Sequence, residues 1–345
     1  MGAGLIGREH AKLLGTHPAI EFVAVADPAP AGAQLASKFG AAHFASYEAM
    51  LDAVRPDGVI VALPTQLHLA AGLACIERGV PCLMEKPVCD TVEAGLKLAR
   101  ASSEASVPVL VGHHRRHSPD MRQARRLVAE GALGDLVAVS GMCLVDKPQA
   151  YFGEAWRREP GGGPILINLI HEIDCLRFIC GEIRSVCAFA SNRVRGFSVE
   201  DTASMALEFE SGALGTFILS DAVASPWAWE FTSNQALYFP HQPGAHLFLG
   251  GRKASLSLSD MQLWRHAREG ESWQDPFVRE FRPGERSSAY SNQLEHFIAT
   301  IRREAEPISD ADDATKTLAA TLAVATAAAH GRPVPVAEVI SRYGL

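Results

Sequence analysis

The chain has 345 residues, of which 48% are apolar and 21% charged, with a net charge of −7. That length exceeds one typical domain, and the composition is that of an ordinary globular protein, so two domains are expected. The negative balance gives no electrostatic basis for a nucleic-acid partner, and no apolar run approaches the roughly 20 residues that cross a bilayer.

No basic stretch followed by an apolar core marks a secretory leader, so a cytoplasmic protein without membrane contact is expected. Seven cysteines are present, and Cys75, Cys82 and Cys89 are evenly spaced. They fall on a predicted helix, strand and loop with no C-x-x-C or Cys/His pair beside them. They read as buried reduced thiols, with no metal.

In chain order, the first 115 residues alternate strand with helix. Ile20–Ala26 is a β-rich run and Ala31–Phe39 is helical. Gly58–Leu63 is a short, wholly apolar run, the mark of a strand covered on both faces. Helix Leu67–Arg78, strand Pro81–Glu85, helix Val92–Glu104 and strand Val107–Val111 follow. This alternation implies right-handed crossovers and a parallel, doubly wound sheet. After a helix over Met121–Glu130 the strands come in succession: Leu136–Ser140, Val186–Ala190, Ala203–Phe209 and Gly215–Leu219. Strands without intervening helices make a largely antiparallel sheet. One helix interrupts, Pro164–Ile179, after Gly161-Gly162-Gly163, and helices Ser291–Arg303 and Ala311–Ala329 close the chain. The boundary is expected near residue 118: a dinucleotide-binding domain over 1–118 and an α/β domain over 119–345, with the closing helices (291–329) packing back on the first.

At the N-terminus stands Gly2-Ala3-Gly4-Leu5-Ile6-Gly7, a G-x-G-x-x-G pattern, and 20 residues after Gly7 stands Asp27 at the end of the next strand. Gly2 suits a tight turn, Gly4 a close backbone approach to pyrophosphate, and Gly7 a helix packed on the sheet. Asp27 suits the ribose hydroxyls. The helix N-terminus adds amide donors and a partial positive charge. A carboxylate at Asp27, followed by Pro28 rather than arginine, favours NAD over NADP. A doubly wound sheet carries this turn on its first, central strand, so about 5–8 upstream residues, one strand's length, are expected.

Glu85-Lys86-Pro87 and Ala62-Leu63-Pro64-Thr65-Gln66-Leu67-His68 both lie just past strand ends, the edge where open α/β sheets bind ligands. With the glycine turn, Arg115-Arg116, Trp156-Arg157, the triple glycine before His171, Glu200-Asp201-Thr202 and Gly331-Arg332-Pro333-Val334, the ordered set resembles the Gfo/Idh/MocA family of oxidoreductases. The resemblance covers nearly the whole chain. It implies an N-terminal Rossmann domain, a C-terminal domain with a large open sheet that mediates a homodimer or homotetramer, and hydride transfer between a cyclic sugar, polyol or sugar acid and nicotinamide C4.

The resemblance makes Lys86 and His171 the catalytic pair. A histidine near neutral pKa suits the base that takes the hydroxyl proton, and a lysine stabilises developing alkoxide. Pro87 fixes the chain so that Lys86 points into the cleft. The resemblance puts Gly2, Gly4, Leu5, Ile6, Gly7, Asp27, Pro64, Thr65, His68, Glu85, Lys86 and Arg115 at the cofactor, and Lys147, Trp156, Arg157, Asn168 and His171 at the substrate. Family members often carry D-x-G-x-H; here Ile167 and Leu169 fill the Asp and Gly positions, and Asn168 stands three before His171. Lys147, Arg157 and Arg158 suit an anionic group, with Tyr151, Phe152, Trp156, Trp227 or Trp229 against a ring. Alternative readings are a dehydrogenase of a ring dihydrodiol or cyclic hydroxy acid, and a non-catalytic NAD sensor.

Overall fold

The computed structural model describes residues 1–236 and 238–342. The described residues divide into two units: 1–114 with 290–318, and 115–289 with 319–342.

In the first unit, α1 (Leu5–Thr16) follows the glycine turn directly, and β1 (Ala24–Ala26), α2 (Pro30–Phe39), β2 (Ala42–Phe44) and α3 (Tyr47–Val54) come next. β3 (Val59–Val61), α4 (His68–Glu77), β4 (Cys82–Met84), α5 (Val92–Ala105) and β5 (Val109–Val111) complete the alternation. All strand pairing is parallel, but it forms two sheets, β1-β2 and β3-β4-β5. β3, β4 and β5 are wholly buried, which is why each is a continuous apolar run. β1 is shorter than its run: Ile20–Val23 lies outside the ladder.

The second unit opens with α6 (Pro119–Ala129) and β6 (Leu136–Leu144). The predicted helix over Pro164–Ile179 is in two parts: residues 165–169 form a π-type turn, and α7 (Ile170–Cys180) continues from it. β7 (Ile183–Ser191), β8 (Thr202–Phe209) and β9 (Leu214–Ser220) follow, then the short α8 (Trp229–Thr232) and four strands not foreseen from the sequence: β10 (Leu247–Gly251), β11 (Ala254–Leu258), β12 (Gln262–His266) and β13 (Phe277–Phe281). With β14 (Val334–Pro335), named after α9 (Ala289–Ile301) and α10 (Ala311–His330) and followed by α11 (Val336–Ser341), they make nine strands ordered β13-β12-β11-β10-β6-β9-β8-β7-β14. Every pairing is antiparallel except β6 with β9.

Alternation in β8 and along β9 as far as Leu219 buries one face of this sheet. The register Phe189–Ser204–Ile218–Met142 sets the opposite face. There Phe189 is 76% and Ile218 40% exposed.

α9 and the first part of α10 belong to the first unit. Leu294 and Phe297 of α9 pack on Ile60, Leu83 and Leu110, one from each strand of the three-stranded sheet. The Val111 amide donates to the Ser309 carbonyl at 2.8 Å.

Candidate active site

The glycine turn is built from backbone constraints. Gly2 has φ +88°, and a Cβ there would stand 2.3 Å from the Ala62 carbonyl oxygen, so only glycine suits. A Cβ on Gly7 would fall 2.2 Å from the Gly2 carbonyl oxygen; the absent side chain lets α1 close onto the turn. At Gly4, the residue before α1, a Cβ would meet nothing within 4 Å. The space above the first amides of α1 is therefore open, which is what a phosphate group needs. Leu5 is 63% exposed at the start of α1 and Ile6 is half-buried beside it.

Asp27 sits past the end of β1. Its Oδ2 accepts from the Ala3 amide at 2.6 Å and its Oδ1 from the Ala29 amide at 2.8 Å. The carboxylate thereby ties the turn to the strand end, with lone pairs left for ribose hydroxyls.

Lys86 follows β4. Its amide donates to Glu85 Oε2 at 3.3 Å, and Glu85 Oε1 lies 2.7 Å from Nε2 of His10 on α1. Burial alone would raise the Glu85 carboxyl; the His10 hydrogen bond and the nearby Lys86 charge outweigh it and hold it below its ordinary value. Glu85 thus works as a brace for the chain at Lys86. Pro64 and Thr65 lie past β3 at the start of a single 3₁₀ turn. His68 is buried, with Nδ1 2.9 Å from the Pro87 carbonyl and Nε2 3.0 Å from that of Leu63. Its ring clamps the two strand-end loops. Nothing in the sequence marked His10 as Glu85's partner; the two are 75 residues apart.

In the second unit, His171 and Asn168 share the segment that runs from the π-type turn into α7. Lys147, three residues past β6, donates from Nζ to Asn168 Oδ1 at 2.7 Å and pairs with Asp221 Oδ2 at 3.3 Å. Burial pushes the Lys147 ammonium down, against the pull of Asp221. Asp221 also accepts from Arg195 Nε at 2.9 Å. Lys147 and Arg157 flank the Tyr151 ring, at 4.8 and 4.0 Å from its centroid. Arg157 also donates to the Tyr151 carbonyl, and Trp156 is 48% exposed. Phe152 is buried against Phe197 and so is not available to a ligand.

The triple glycine has a local cause. A Cβ on Gly163 would lie 2.3 Å from Glu200 Oε1, the oxygen that accepts from the Ile165 amide at 2.9 Å. Burial raises the Glu200 carboxyl despite that bond.

Arg115, expected at the cofactor, has partners of its own. Its guanidinium is buried in the second unit, donating to Glu172 Oε1 at 2.5 Å and Glu230 Oε1 at 2.7 Å, above the Trp229 ring. Burial would depress it; Glu172 and Glu230 outweigh that and raise it. It is an internal tie, and Trp229 is buried beneath it. Cys143, Glu172 and Glu230 bring donor atoms within 4.8 Å of one another; Arg115 is the charge that balances the two glutamates. Arg116 makes a parallel tie to Asp174, at 2.6 Å.

An open glycine turn at a helix N-terminus, braced by a strand-end carboxylate, defines a dinucleotide-binding Rossmann fold. Residues 1–113 match the oxidoreductase family with an NAD-binding Rossmann fold, and residues 121–236 match the GFO/IDH/MocA C-terminal domain. The chain belongs to the Gfo/Idh/MocA family, whose members include inositol 2-dehydrogenase and related oxidoreductases. It is 31% identical to the rhizopine catabolism protein MocA of Rhizobium meliloti over 53% of this chain and 56% of that one. It is 25% identical to inositol 2-dehydrogenase of Rhizobium meliloti (strain 1021) over 98% of both chains. The WlbA dehydrogenase of Bordetella pertussis, solved with NADH and UDP-GlcNAcA, has the same fold: TM-score 0.78, 21% identity, 97% of both chains covered. The protein is an NAD-binding oxidoreductase that acts on a small molecule. Among the described residues no helix is long and apolar enough to cross a membrane.

Proposed function

We propose that the protein is an NAD-dependent dehydrogenase of a cyclic, uncharged polyhydroxylated substrate, with Lys86 and His171 as its catalytic residues. NAD, when bound, supplies the nicotinamide C4 that accepts hydride. Lys86 donates a hydrogen bond to the reacting oxygen and stabilises charge as the hydroxyl loses its proton. His171 takes that proton. Asn168 holds a neighbouring substrate hydroxyl through its amide, and Lys147 fixes the rotamer of Asn168.

The observation that carries the substrate class is the pairing of Lys147 with Asp221 and Asn168. A lysine already balanced by a buried carboxylate is a poor receptor for a substrate carboxylate and a good donor to a hydroxyl. This favours a polyol or glycoside over a sugar acid, a dihydrodiol or a hydroxy acid. The inositol dehydrogenase likeness over the full chain agrees with it. Asp27, with Pro28 after it, favours NAD over NADP by repelling a 2′-phosphate.

The chain is further proposed to form a homodimer or homotetramer through the open sheet face around Phe189 and Ile218, and to work in the cytoplasm, where six buried thiols and Cys187 stay reduced.

The test is Lys86→Ala, assayed with a panel of neutral cyclic polyols and the corresponding acids, beside NADH titration. Turnover of neutral substrates by the parent, lost in the variant with NADH affinity kept, is the expected result. A variant with undiminished turnover removes Lys86 from the chemistry. A parent active only on acids removes the substrate class.

A further inference from the structure

Lys86 carries its ammonium on a flexible four-carbon stem, so where that group reaches depends on how firmly the backbone beneath it is held. The chain is tied on both sides of Lys86, and each tie ends on a buried histidine. Before it, Glu85 places Oε1 2.7 Å from Nε2 of His10, while its Oε2 accepts from the Lys86 amide at 3.3 Å. After it, the carbonyl oxygen of Pro87 lies 2.9 Å from Nδ1 of His68. His10, Glu85 and His68 are all buried.

The two histidines come from different helices. His10 is on α1, six residues after Gly4 and so about 9 Å along the helix whose first amides border the open space above the glycine turn. His68 opens α4, and its Nε2 lies 3.0 Å from the carbonyl oxygen of Leu63, past the end of β3. The His68 ring is thus fixed from both nitrogens. The His10 ring meets Tyr290 of α9 edge-on, with centroids 6.5 Å apart. Glu85 lies over Gly112, where a Cβ would stand 3.3 Å from Oε1.

We infer that His10 and His68 are positioning residues for the reaction: they hold the backbone on either side of Lys86 and through it aim the Lys86 ammonium. This rests on the catalytic role proposed for Lys86. The atoms differ between the two sites. At His10 the tie is made by Nε2; at His68 it is made by Nδ1, because Nε2 serves Leu63. Misplacing a catalytic group by about 1 Å costs roughly a hundredfold in rate, so loss of either tie is read in kcat.

Glutamine and asparagine test this atom by atom. The glutamine amide nitrogen stands where histidine Nε2 does, and that of asparagine where Nδ1 does. His10→Gln keeps the tie to Glu85 and His10→Asn loses it. At His68 the order reverses: His68→Asn keeps the tie to Pro87, and His68→Gln keeps only the one to Leu63. At saturating NAD, kcat for the neutral cyclic polyols should fall about tenfold or more in His10→Asn and His68→Gln, and much less in His10→Gln and His68→Asn. Hydrogen exchange at the Lys86 amide, which needs no substrate, should quicken in the same two variants. A merely structural role would follow the unfolding midpoint without this crossed order. Glutamine and asparagine variants alike in kcat and exchange at either position overturn the inference, as does the opposite order. Lys86→Ala, assayed alongside, keeps two failures apart. Undiminished turnover there overturns the role of Lys86 and this inference with it; lost turnover there without the crossed order overturns the role of the histidines alone.

Discussion

Two alanine substitutions in the glycine turn separate what it does for the fold from what it does for the nucleotide. In Gly7→Ala the new Cβ falls 2.2 Å from the Gly2 carbonyl oxygen and 3.0 Å from its carbon. Both are backbone atoms, and Gly2 is held by its bond to Ala26, so α1 or the turn must move by about 1 Å to restore ordinary contact. Overpacking of this kind costs about 1–3 kcal/mol, a fall in unfolding midpoint of roughly 1–4 °C for a chain of this size, and the displaced amides lose NADH affinity as well. Gly4→Ala behaves differently. Gly4 has φ −66° and ψ −170°, which alanine adopts freely, and its Cβ meets nothing within 4 Å. Stability should stay within about 0.5 kcal/mol, while NADH affinity falls at least tenfold because the methyl stands where the pyrophosphate approaches. Differential scanning fluorimetry and NADH fluorescence titration measure the two effects on the same samples. A Gly4→Ala protein that binds NADH as tightly as the parent refutes the argument, since the open space would then not be the phosphate path.

Arg115→Ala leaves Glu172 and Glu230 buried without their counter-charge, so urea unfolding should show a loss of about 3–5 kcal/mol; a loss under 1 kcal/mol would mean the glutamates find other donors. His246 is buried, with Nδ1 3.1 Å from Thr232 Oγ1, and burial with the Arg115 charge lowers its pKa to about 3. An unfolded histidine protonates near 6.5, so between those values the unfolded chain binds the extra proton. Stability should therefore fall as pH drops from about 6.5 toward 3, by up to about 1.4 kcal/mol per pH unit. His246→Gln should flatten that slope in urea titrations at pH 7, 6 and 5; an unchanged slope assigns it to other groups. On the open sheet face, Phe189→Glu with Ile218→Lys should shift the sedimentation coefficient toward the monomer without lowering the unfolding midpoint of the isolated subunit. A sedimentation profile identical to that of the parent would place any assembly elsewhere.

Among the strands that sequence reading found, Val59–Val61, Cys82–Met84 and Val109–Val111 are wholly covered, and β8 and most of β9 alternate. β12 and β13 were missed because they sit at the sheet's end, where no position of Phe277–Phe281 is fully buried and the pattern looks polar. β2, three residues long with two exposed, carried no signal at all. The glycine turn and Asp27 were legible because backbone geometry demands particular residue types at fixed spacing. His10, Asp221 and Glu230 were not, since their partners Glu85, Lys147 and Arg115 lie tens of residues away and only folding brings them together. The two glutamates that hold Arg115 were hidden for the same reason.

The nucleotide-binding unit is assembled from two stretches of chain separated by some 175 residues. Leu294 and Phe297 cover Ile60, Leu83 and Leu110, and Ser309 completes the ladder edge at Val111. A ribosome that has released residue 114 has therefore made every strand of that unit but not its lid of apolar side chains. The central three-stranded sheet waits, one face bare, while the entire nine-stranded unit but its short last strand is synthesised. At about 5–20 residues per second that wait lasts on the order of ten to thirty seconds. Expression yield should thus depend on chaperone capacity during that interval, and a gene cut after residue 114 should give an aggregate.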